Sequence, residues 1–147
     1  MKLRIAWIGR TRSSPIQSLT AEYLKLLSRY AACEALELMS EAALLRLVEK
    51  HTARTPPVLV LLDSRGLQLT SEEIANFLEY HQSHGTQELL FAVGPADGWD
   101  VTTRAAANNV LSFGKITLPH ELARVVLLEQ LYRGFTILKD HPYHGGH

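Results

Sequence analysis

The chain has 147 residues, with fifteen Lys and Arg against fifteen Asp and Glu, so its formal net charge is zero. That length predicts a single domain, residues 1–147, and 46% hydrophobic residues argue against a disordered chain. No apolar run approaches the roughly 18 residues that a membrane-spanning helix needs. Cys33 is the only cysteine, which excludes an intramolecular disulfide and predicts a reducing, cytoplasmic location.

The zero total hides a segregated charge distribution. Residues 1–30 carry six basic side chains and one acidic, a net of +5, whereas residues 31–100 carry four basic and eleven acidic, a net of −7. Residues 101–147 carry five basic and three acidic, a net of +2, together with four of the seven histidines. The ordinary interpretation is that the acids line solvated helix faces. The alternative is that the two basic ends meet and form one surface for an anionic partner.

Apolar periodicity and capping residues alternate between strand and helix patterns along the chain. Ser14 and Pro15 predict the start of the first helix, and Thr70 with Glu73 predicts a capping box at the third. Strands are predicted at residues 3–8, 36–39, 58–62, 89–93 and 110–113, and helices at 14–30, 41–54, 71–83, 102–108 and 119–138. This order predicts an α/β fold with a mostly parallel sheet flanked by helices.

The last helix is apolar around most of its circumference. Its apolar residues are Leu122, Ala123, Val125, Val126, Leu127, Leu128, Leu131, Tyr132, Phe135 and Ile137. Such a helix must be covered on several sides, and a domain of this size leaves part of that surface over. We therefore expect a homodimer.

Three glycine-containing loops follow buried strands, at residues 62–66, 94–98 and 114–118. Ligands bind at the carboxyl ends of parallel strands, and glycine lets the main chain approach a ligand closely. A turn is the ordinary explanation of each glycine taken alone. The chain has neither the Gly-x-Gly-x-x-Gly spacing nor a Walker pattern, which argues against a nicotinamide-dependent dehydrogenase and a P-loop enzyme.

Histidine and tryptophan supply the remaining candidate ligands. Residues 141–147 hold three histidines without a carboxylate or cysteine cluster, so we predict no metal site. Trp7 lies mid-strand and is predicted in the core, whereas Trp99 follows a loop and is predicted to be more open. Cys33 is predicted to be a small core residue at a strand edge. Surface positions are predicted for His51, His81 and His84.

Three segments of the C-terminal third share the motifs of one family. Residues 111–120 read LSFGKITLPH, residues 124–133 read RVVLLEQLYR, and residues 141–144 read HPYH. These segments closely resemble the RlmH family of SPOUT-class methyltransferases. The resemblance extends more thinly to Ile8-Gly9-Arg10, Ala21-Glu22-Tyr23, Leu62-Asp63 with Gly66, and Leu69-Thr70-Ser71-Glu72-Glu73.

The resemblance implies an enzyme that uses S-adenosylmethionine to methylate N3 of a pseudouridine in 23S ribosomal RNA. It implies a SPOUT-type homodimer with a C-terminal trefoil knot, acting on rRNA in the large subunit or the assembled ribosome, without metal or membrane. The implied cofactor residues are Leu62, Gly94, Lys115, Ile116, Thr117, Leu118, Pro119 and His120. The implied catalytic residues are His144, His120, Arg124 and Tyr143, and the implied RNA contacts are Arg10, Arg12, Arg133 and His141.

The roles within that set stay open at the level of sequence. Either His144 or His120 is a candidate base for the N3 proton, and either Arg124 or Arg133 is a candidate to hold a phosphate or an oxyanion. The implied dimer places one protomer's tail beside the other's cofactor. Two alternatives remain: a diverged SPOUT-fold protein that binds RNA or a ribosome without methyl transfer, and an unrelated small α/β enzyme acting on a nucleotide.

Overall fold

A computed structural model describes residues 1–49, 55–95 and 97–145. His51 and His147, for which a surface and a tail position are predicted, lie outside these residues. The elements are β1 (Lys2–Ile8), α1 (Ser14–Leu27), β2 (Ala32–Leu38), α2 (Glu41–Glu49), β3 (Val58–Gln68), α3 (Ser71–Ser83), β4 (Glu88–Val93), α4 (Val101–Ala106), β5 (Asn109–Ser112), α5 (His120–Leu138) and α6 (Pro142–Gly145). The predicted alternation of strands and helices is confirmed.

The five strands form one parallel sheet in the order β2-β1-β4-β3-β5. One core cluster joins the sheet to α1, α3 and α5 through Leu27, Leu78 and Leu128. The second cluster joins the opposite face to α2 and α4 through Leu44 and Ala106. Both faces of the central strands are therefore covered, which is why β3 and β4 contain continuous apolar runs rather than alternating ones.

Capping residues begin the helices close to the predicted positions. The Thr70 hydroxyl accepts from the Glu73 N–H at 3.1 Å, and the Glu73 carboxylate accepts from the Thr70 N–H at 2.9 Å, so the capping box is confirmed. At α1 the N-cap is Ser13, whose hydroxyl accepts from the Ile16 N–H at 3.3 Å. Ser14, which with Pro15 predicts the helix start, is the first helical residue, so Pro15 lies in the first turn, where its missing N–H is harmless.

β3 continues well beyond its predicted end at Leu62. The pairing with β5 shifts within β3, so that Leu111 stands opposite both Leu62 and Leu67. Residues 63–66, which belong to the loop predicted at 62–66, are an excursion inside this strand. Gly66 makes the excursion possible, because a Cβ there would lie 2.7 Å from the main chain of Val110 and Leu111.

α5 is covered on several sides, as predicted, but mostly within the protomer. It packs on α1, α3 and α6 as well as on the sheet. Leu122 of α5 and Leu19 of α1 remain 42% and 38% exposed. Over the described ranges, no helix combines the length and the apolarity that crossing a membrane requires.

One polar position differs from its predicted environment, and one agrees with it. His81 is buried, not at the surface, because its Nδ1 lies 2.7 Å from the Thr86 hydroxyl and its ring packs on Phe77. Burial lowers the pKa of His81. Cys33 is half-buried on β2, an edge strand, and burial raises the pKa of its thiol to about 11, which keeps it protonated near neutral pH.

Part of the N-terminal positive charge is paired with the acidic middle of the chain. Lys2 lies 2.9 Å from a Glu34 carboxylate oxygen, and Arg4 lies 2.9 Å from Glu88. Hydrogen bonding to Lys2 is the main reason that the pKa of Glu34 is lowered. The acidic middle therefore does more than line solvated faces. Within residues 1–30, the basic side chains that form no ion pair with the described residues are Arg10, Arg12, Lys25 and Arg29.

Candidate functional site

A cleft of about 290 Å³ opens at the carboxyl ends of β4 and β5, beside the excursion within β3. Its lining comes from that excursion, from the loops after β4 and β5, and from the start of α5: residues 62–65, 93–95, 97–99, 112–114, 116–118, 120 and 123. Six of the eight predicted cofactor residues line it: Leu62, Gly94, Ile116, Thr117, Leu118 and His120. The other two, Lys115 and Pro119, are exposed and are not among the lining residues.

Trp99 joins two of the strand ends that form the cleft. Its Nε1 donates to the Leu62 carbonyl at 2.9 Å, and the side chain is 6% exposed, so the predicted open position is wrong. The indole packs directly on Gly94, where a Cβ would lie 2.6 Å from the ring. The indole is buried because it packs across Leu62 of β3 and Gly94, the residue after β4, as part of the second core cluster.

Asp63 fixes the first loop of the cleft. Its side chain is 6% exposed, and its carboxylate accepts from the Arg104 guanidinium and, at 2.9 Å, from the Arg65 N–H. Arg104 also donates to the Trp99 carbonyl at 3.4 Å. These bonds set the shape of the loop within the protomer itself. The sequence analysis assigns no role in the site to Asp63 or Arg104. The position of Asp63 directly after a buried apolar run was a signal that could have indicated one.

Ser112 connects the first and third loops. Its hydroxyl lies 3.2 Å from the Ser64 carbonyl and accepts from the Gly114 N–H at 3.0 Å. Gly114 has φ +112°, a left-handed conformation that favours glycine. Beyond it, Ile116 is 68% exposed at the rim of the cleft, which leaves an apolar side chain open to solvent.

The loop between β1 and α1 exposes Arg10 and Arg12 on either side of buried Thr11. The Glu121 carboxylate of α5 accepts from the main-chain N–H groups of Arg12 and Ser13 at 3.2 and 3.1 Å. The two basic ends of the chain therefore do meet, at the start of α5. They meet through an acidic residue that binds main chain, so the arginine side chains stay available.

Arg124 supports this loop from beneath. Its guanidinium lies 3.8 Å from the Trp7 ring, its Nη1 donates to the Thr11 hydroxyl at 2.8 Å, and the residue is 1% exposed. Nε and Nη2 are buried without a partner among the described residues, and burial lowers the pKa of the group. Arg124 does not line the cleft, and a catalytic role for it stays a prediction.

Glu37 is expected to make the stability of the fold depend on pH. Its Oε1 accepts from the Thr11 N–H, the Thr11 hydroxyl and Trp7 Nε1 at 3.0, 3.1 and 3.2 Å. These bonds, led by the main-chain bond from Thr11, hold the pKa of Glu37 below its ordinary value of 4.5. The carboxylate thus stabilises the fold above that value, and the stabilisation is lost as pH falls through the lower, folded pKa.

Glu37→Gln keeps an acceptor oxygen but no charge, so it is expected to unfold at a lower temperature than the parent at pH 7. The difference is expected to shrink towards pH 3, as measured by circular dichroism during heating. Glu22→Gln, which removes an exposed charge on α1, is the control. A difference that stays constant across this pH range contradicts the role of the Glu37 charge.

The C-terminal tail docks on α3 and α5 through a group of five side chains, the tail cluster: Glu72, Glu129, Arg133, Tyr143 and His144. Arg133 Nε lies 3.0 Å from Glu129, and its Nη1 lies 3.0 Å from His144 Nδ1. His144 Nε2 lies 2.9 Å from Glu72 Oε1. These contacts join the tail to α3 and α5 at His144, which the composition of the tail alone does not predict.

Tyr143 is the apolar anchor of the tail. Its ring packs edge-on against Tyr132 at 4.8 Å and lies under the Arg133 guanidinium at 4.8 Å. Burial, reinforced by the Glu129 charge, raises the pKa of Tyr143 to about 12, so the phenol stays protonated near neutral pH. His141 is exposed, and its Nδ1 accepts from the Tyr143 N–H at 3.2 Å.

The structure brings the predicted residues together in three groups. The cleft contains His120, the loop after β1 presents Arg10 and Arg12, and the tail cluster holds Arg133 and His144. His120 and His144 thus belong to different groups within the protomer. Among the described residues, no set of three or more His, Cys, Asp or Glu side chains is arranged to hold a metal ion.

Comparison with known proteins identifies the class. A family model described as "Predicted SPOUT methyltransferase" matches residues 1–144. The chain therefore belongs to the SPOUT methyltransferase family. The fold is similar to that of a solved structure, the SpoU methyltransferase AviRb from Streptomyces viridochromogenes in complex with AdoMet. The two folds match with a TM-score of 0.56 at 19% sequence identity. The match covers 88% of this chain and 56% of that chain, so this chain spans little more than half of AviRb.

The names of the curated relatives are more specific than the description of the family. A protein of Koribacter versatilis (strain Ellin345), named Ribosomal RNA large subunit methyltransferase H, is 65% identical over 147 residues, covering 100% of both chains. Proteins of the same name from Geobacter sp. (strain M21) and Gloeobacter violaceus (strain ATCC 29082 / PCC 7421) are each 42% identical. These matches cover 98% and 99% of this chain and 99% and 100% of the relatives.

Proposed function

We propose that this protein transfers the methyl group of S-adenosylmethionine to N3 of a pseudouridine in the 23S rRNA of the large ribosomal subunit. The observation that carries the proposal is the cleft at the strand ends, lined by Leu62, Gly94 and residues 116–118 and 120. The names and full-length identity of the curated relatives support the substrate. We further propose that residues 1–147 act as one domain in the cytoplasm.

The chemistry of the cleft fits this cofactor. Gly94 lets the main chain of the cleft wall pack directly on Trp99, because a Cβ there would lie 2.6 Å from the indole ring. Apolar side chains of Leu62, Val93 and Leu118 suit a purine, and loop main chain beside Asp63 offers groups for polar substituents. Leu62, Gly94, residues 116–118 and His120 would hold the cofactor, which when bound supplies an electrophilic methyl group on a sulfonium.

The protein's own residues must orient the target base and remove its N3 proton. Holding nucleophile and electrophile in near-attack geometry accounts for much of the rate of such displacements. His120 lies in the cleft, and an imidazole is the side chain suited to accept a proton near neutral pH. We assign the base to His120 and place Arg124 behind the site, where it holds Thr11 and the RNA-facing loop.

A homodimer with a C-terminal trefoil knot completes the proposal. Exposed Leu19 and Leu122 on the adjoining helices α1 and α5 are the apolar surface that a second copy would cover. In such a dimer the tail cluster of one protomer faces the cleft of the other, which brings Tyr143, His144 and Arg133 to the target base. Sedimentation equilibrium is expected to give twice the protomer mass for the parent. The double variant Leu19→Glu with Leu122→Glu is expected to give the mass of one protomer.

The central test measures methyl transfer directly. Purified protein is incubated with S-adenosylmethionine carrying a labelled methyl group and with free 23S rRNA, large subunits or assembled ribosomes from a strain that lacks this gene. Mass spectrometry of the rRNA is expected to find the methyl group on one pseudouridine. If the protein binds the rRNA or the ribosome but transfers no methyl group to any of the three substrates, it is an RNA-binding protein that lacks methyl transfer, which contradicts the proposal.

Arg10 and Arg12 are expected to bind the substrate rather than the cofactor. Their side chains are exposed while their main chain is held by Glu121, and RNA binding weakens with every phosphate that no longer has a basic partner. Arg10→Glu with Arg12→Glu is expected to lower methylation of the ribosomal substrate by about a hundredfold or more. The calorimetric affinity for S-adenosylmethionine is expected to stay unchanged. Arg29→Glu, at an exposed position after α1, is the matched control, and an equal decrease in both variants contradicts a specific role.

A further inference from the structure

The hydrogen-bond partners of His144 define which of its ring nitrogens carries a proton. A guanidinium can only donate, and Arg133 Nη1 lies 3.0 Å from Nδ1, so Nδ1 must present its lone pair. A carboxylate accepts, and Glu72 Oε1 lies 2.9 Å from Nε2, so Nε2 must carry the hydrogen. An imidazolium would set two N–H groups against each other at Nδ1. Of the forms that an imidazole can take, only the Nε2–H tautomer satisfies both contacts.

This tautomer has consequences for what His144 can do. A neutral imidazole has one free lone pair, and that of His144 already accepts from Arg133. The side chain has nothing left with which to take a proton from a substrate. What it offers at its outer end is a donor, Nε2–H.

The two partners differ in how readily they can be exchanged. The Arg133 side chain is 16% exposed and is fixed by hydrogen bonds of 3.0 and 3.3 Å to Glu129. The Glu72 side chain is 62% exposed, and a contact that lies in solvent contributes little stability. An oxygen of an incoming ligand would therefore replace Glu72 while Arg133 stays in place. The charged and titratable groups around the ring are Glu72 of α3, Glu129 and Arg133 of α5, and Tyr143 of α6.

We propose that Arg133 and Glu72 are positioning residues that hold His144 as a hydrogen-bond donor, and that His144 donates Nε2–H to an oxygen of the target nucleotide. Glu72 occupies the place of that oxygen until RNA binds. This inference rests on the proposed methyl transfer, and it removes His144 as the acceptor of the N3 proton. Negative charge develops on the uracil oxygens as that proton leaves, and a donor aimed at them stabilises the transition state.

A matched pair of amide variants separates a donor from a base. Glutamine brings its amide N–H near the position of Nε2, asparagine brings its own near Nδ1, and neither can accept a proton at neutral pH. His144→Gln is expected to keep methylation within about tenfold of the parent, whereas His144→Asn is expected to lose about a hundredfold or more, the scale of a missing catalytic group. If His144→Gln is as inactive as His144→Asn, while both bind S-adenosylmethionine and unfold at the parental temperature, the donor role is wrong.

Nitrogen NMR of histidine-labelled protein tests the tautomer without any activity. At pH 8, where an ordinary histidine is neutral, His144 is expected to show Nε2–H alone, its signals being assigned by their absence in His144→Gln. Arg133→Met removes the donor to Nδ1, so it is expected to give a mixture of the two tautomers. Arg133→Lys keeps a donor and is expected to give Nε2–H again. Glu79→Gln on α3 is the control. An Nδ1–H signal in the parent overturns the inference. A parent protein with this tautomer but no methyl transfer contradicts the proposed function instead.

Discussion

Trp99→Ala is expected to lower the free energy of unfolding by about 3–5 kcal/mol and to abolish measurable binding of S-adenosylmethionine. The indole is 6% exposed, packs on Gly94 and donates to the Leu62 carbonyl, so its removal leaves a cavity and an unpaired carbonyl between β3 and β4. Denaturant unfolding at a fixed protomer concentration measures the first effect, and calorimetry with the cofactor measures the second.

Two phenylalanine variants separate the stability of the core from the shape of the cleft. Trp99→Phe keeps an aromatic ring but leaves the buried Leu62 carbonyl without its donor, which costs about 1–3 kcal/mol. Trp7→Phe makes the same chemical change where Nε1 donates to Glu37, away from the cleft lining. Cofactor affinity is expected to fall for Trp99→Phe and to persist for Trp7→Phe. Equal affinities in the two variants would mean that the cleft does not bind the cofactor.

Local chemistry explains why most elements could be predicted from the sequence. The hydrogen bonds of the capping box join Thr70 to Glu73 three residues away, and the apolar runs of β3 and β4 reflect burial that every residue of the strand shares. Such signals lie within a few residues of one another. They need no knowledge of the rest of the fold, which is why element order and the parallel sheet are confirmed.

β2 and β3 show where local signals are insufficient. β2 begins at Ala32, earlier than its predicted start at Leu36, because pairing with β1 recruits residues that carry little strand pattern of their own. β3 extends past Leu62 because β5 pairs with it again at Leu67. Both extensions depend on a neighbouring strand, and the residues of a strand do not specify which neighbour it will have.

In the candidate site, too, the features that depend on local sequence could be predicted and those that depend on distant contacts could not. Its loops could be predicted because they follow buried strands whose carboxyl ends meet at one edge of the sheet. The contacts that shape the loops could not be, since Arg104 reaches Asp63 and Glu72 reaches His144 across long stretches of chain. The open position predicted for Trp99 is wrong for that reason: its partners Leu62 and Gly94 come together only when the strand ends lie side by side.

Gly66→Ala is expected to lower the free energy of unfolding by about 3 kcal/mol or more, at the upper end for a single added methyl group. The new Cβ would lie 2.7 Å from main-chain atoms of Val110 and Leu111, which cannot rotate away as a flexible side chain would. Relief requires β3 and β5 to separate at the pairing of Leu67 with Leu111. Residues 63–65 line the cleft just before this point, so cofactor affinity is expected to fall with stability.

Gly85→Ala distinguishes this crowding from the general cost of replacing a glycine. Gly85 has φ +72°, and no atom lies within 4 Å of its added Cβ, so the variant bears only the cost of a left-handed alanine, about 1–2 kcal/mol. Its cofactor affinity is expected to match the parent. If Gly66→Ala loses no more stability than Gly85→Ala, β5 does not press on the excursion of β3. Residues 62–65 of the cleft lining would then be held by the ion pair of Asp63 and Arg104 alone. In that case Asp63→Asn would be the variant that abolishes binding of the cofactor.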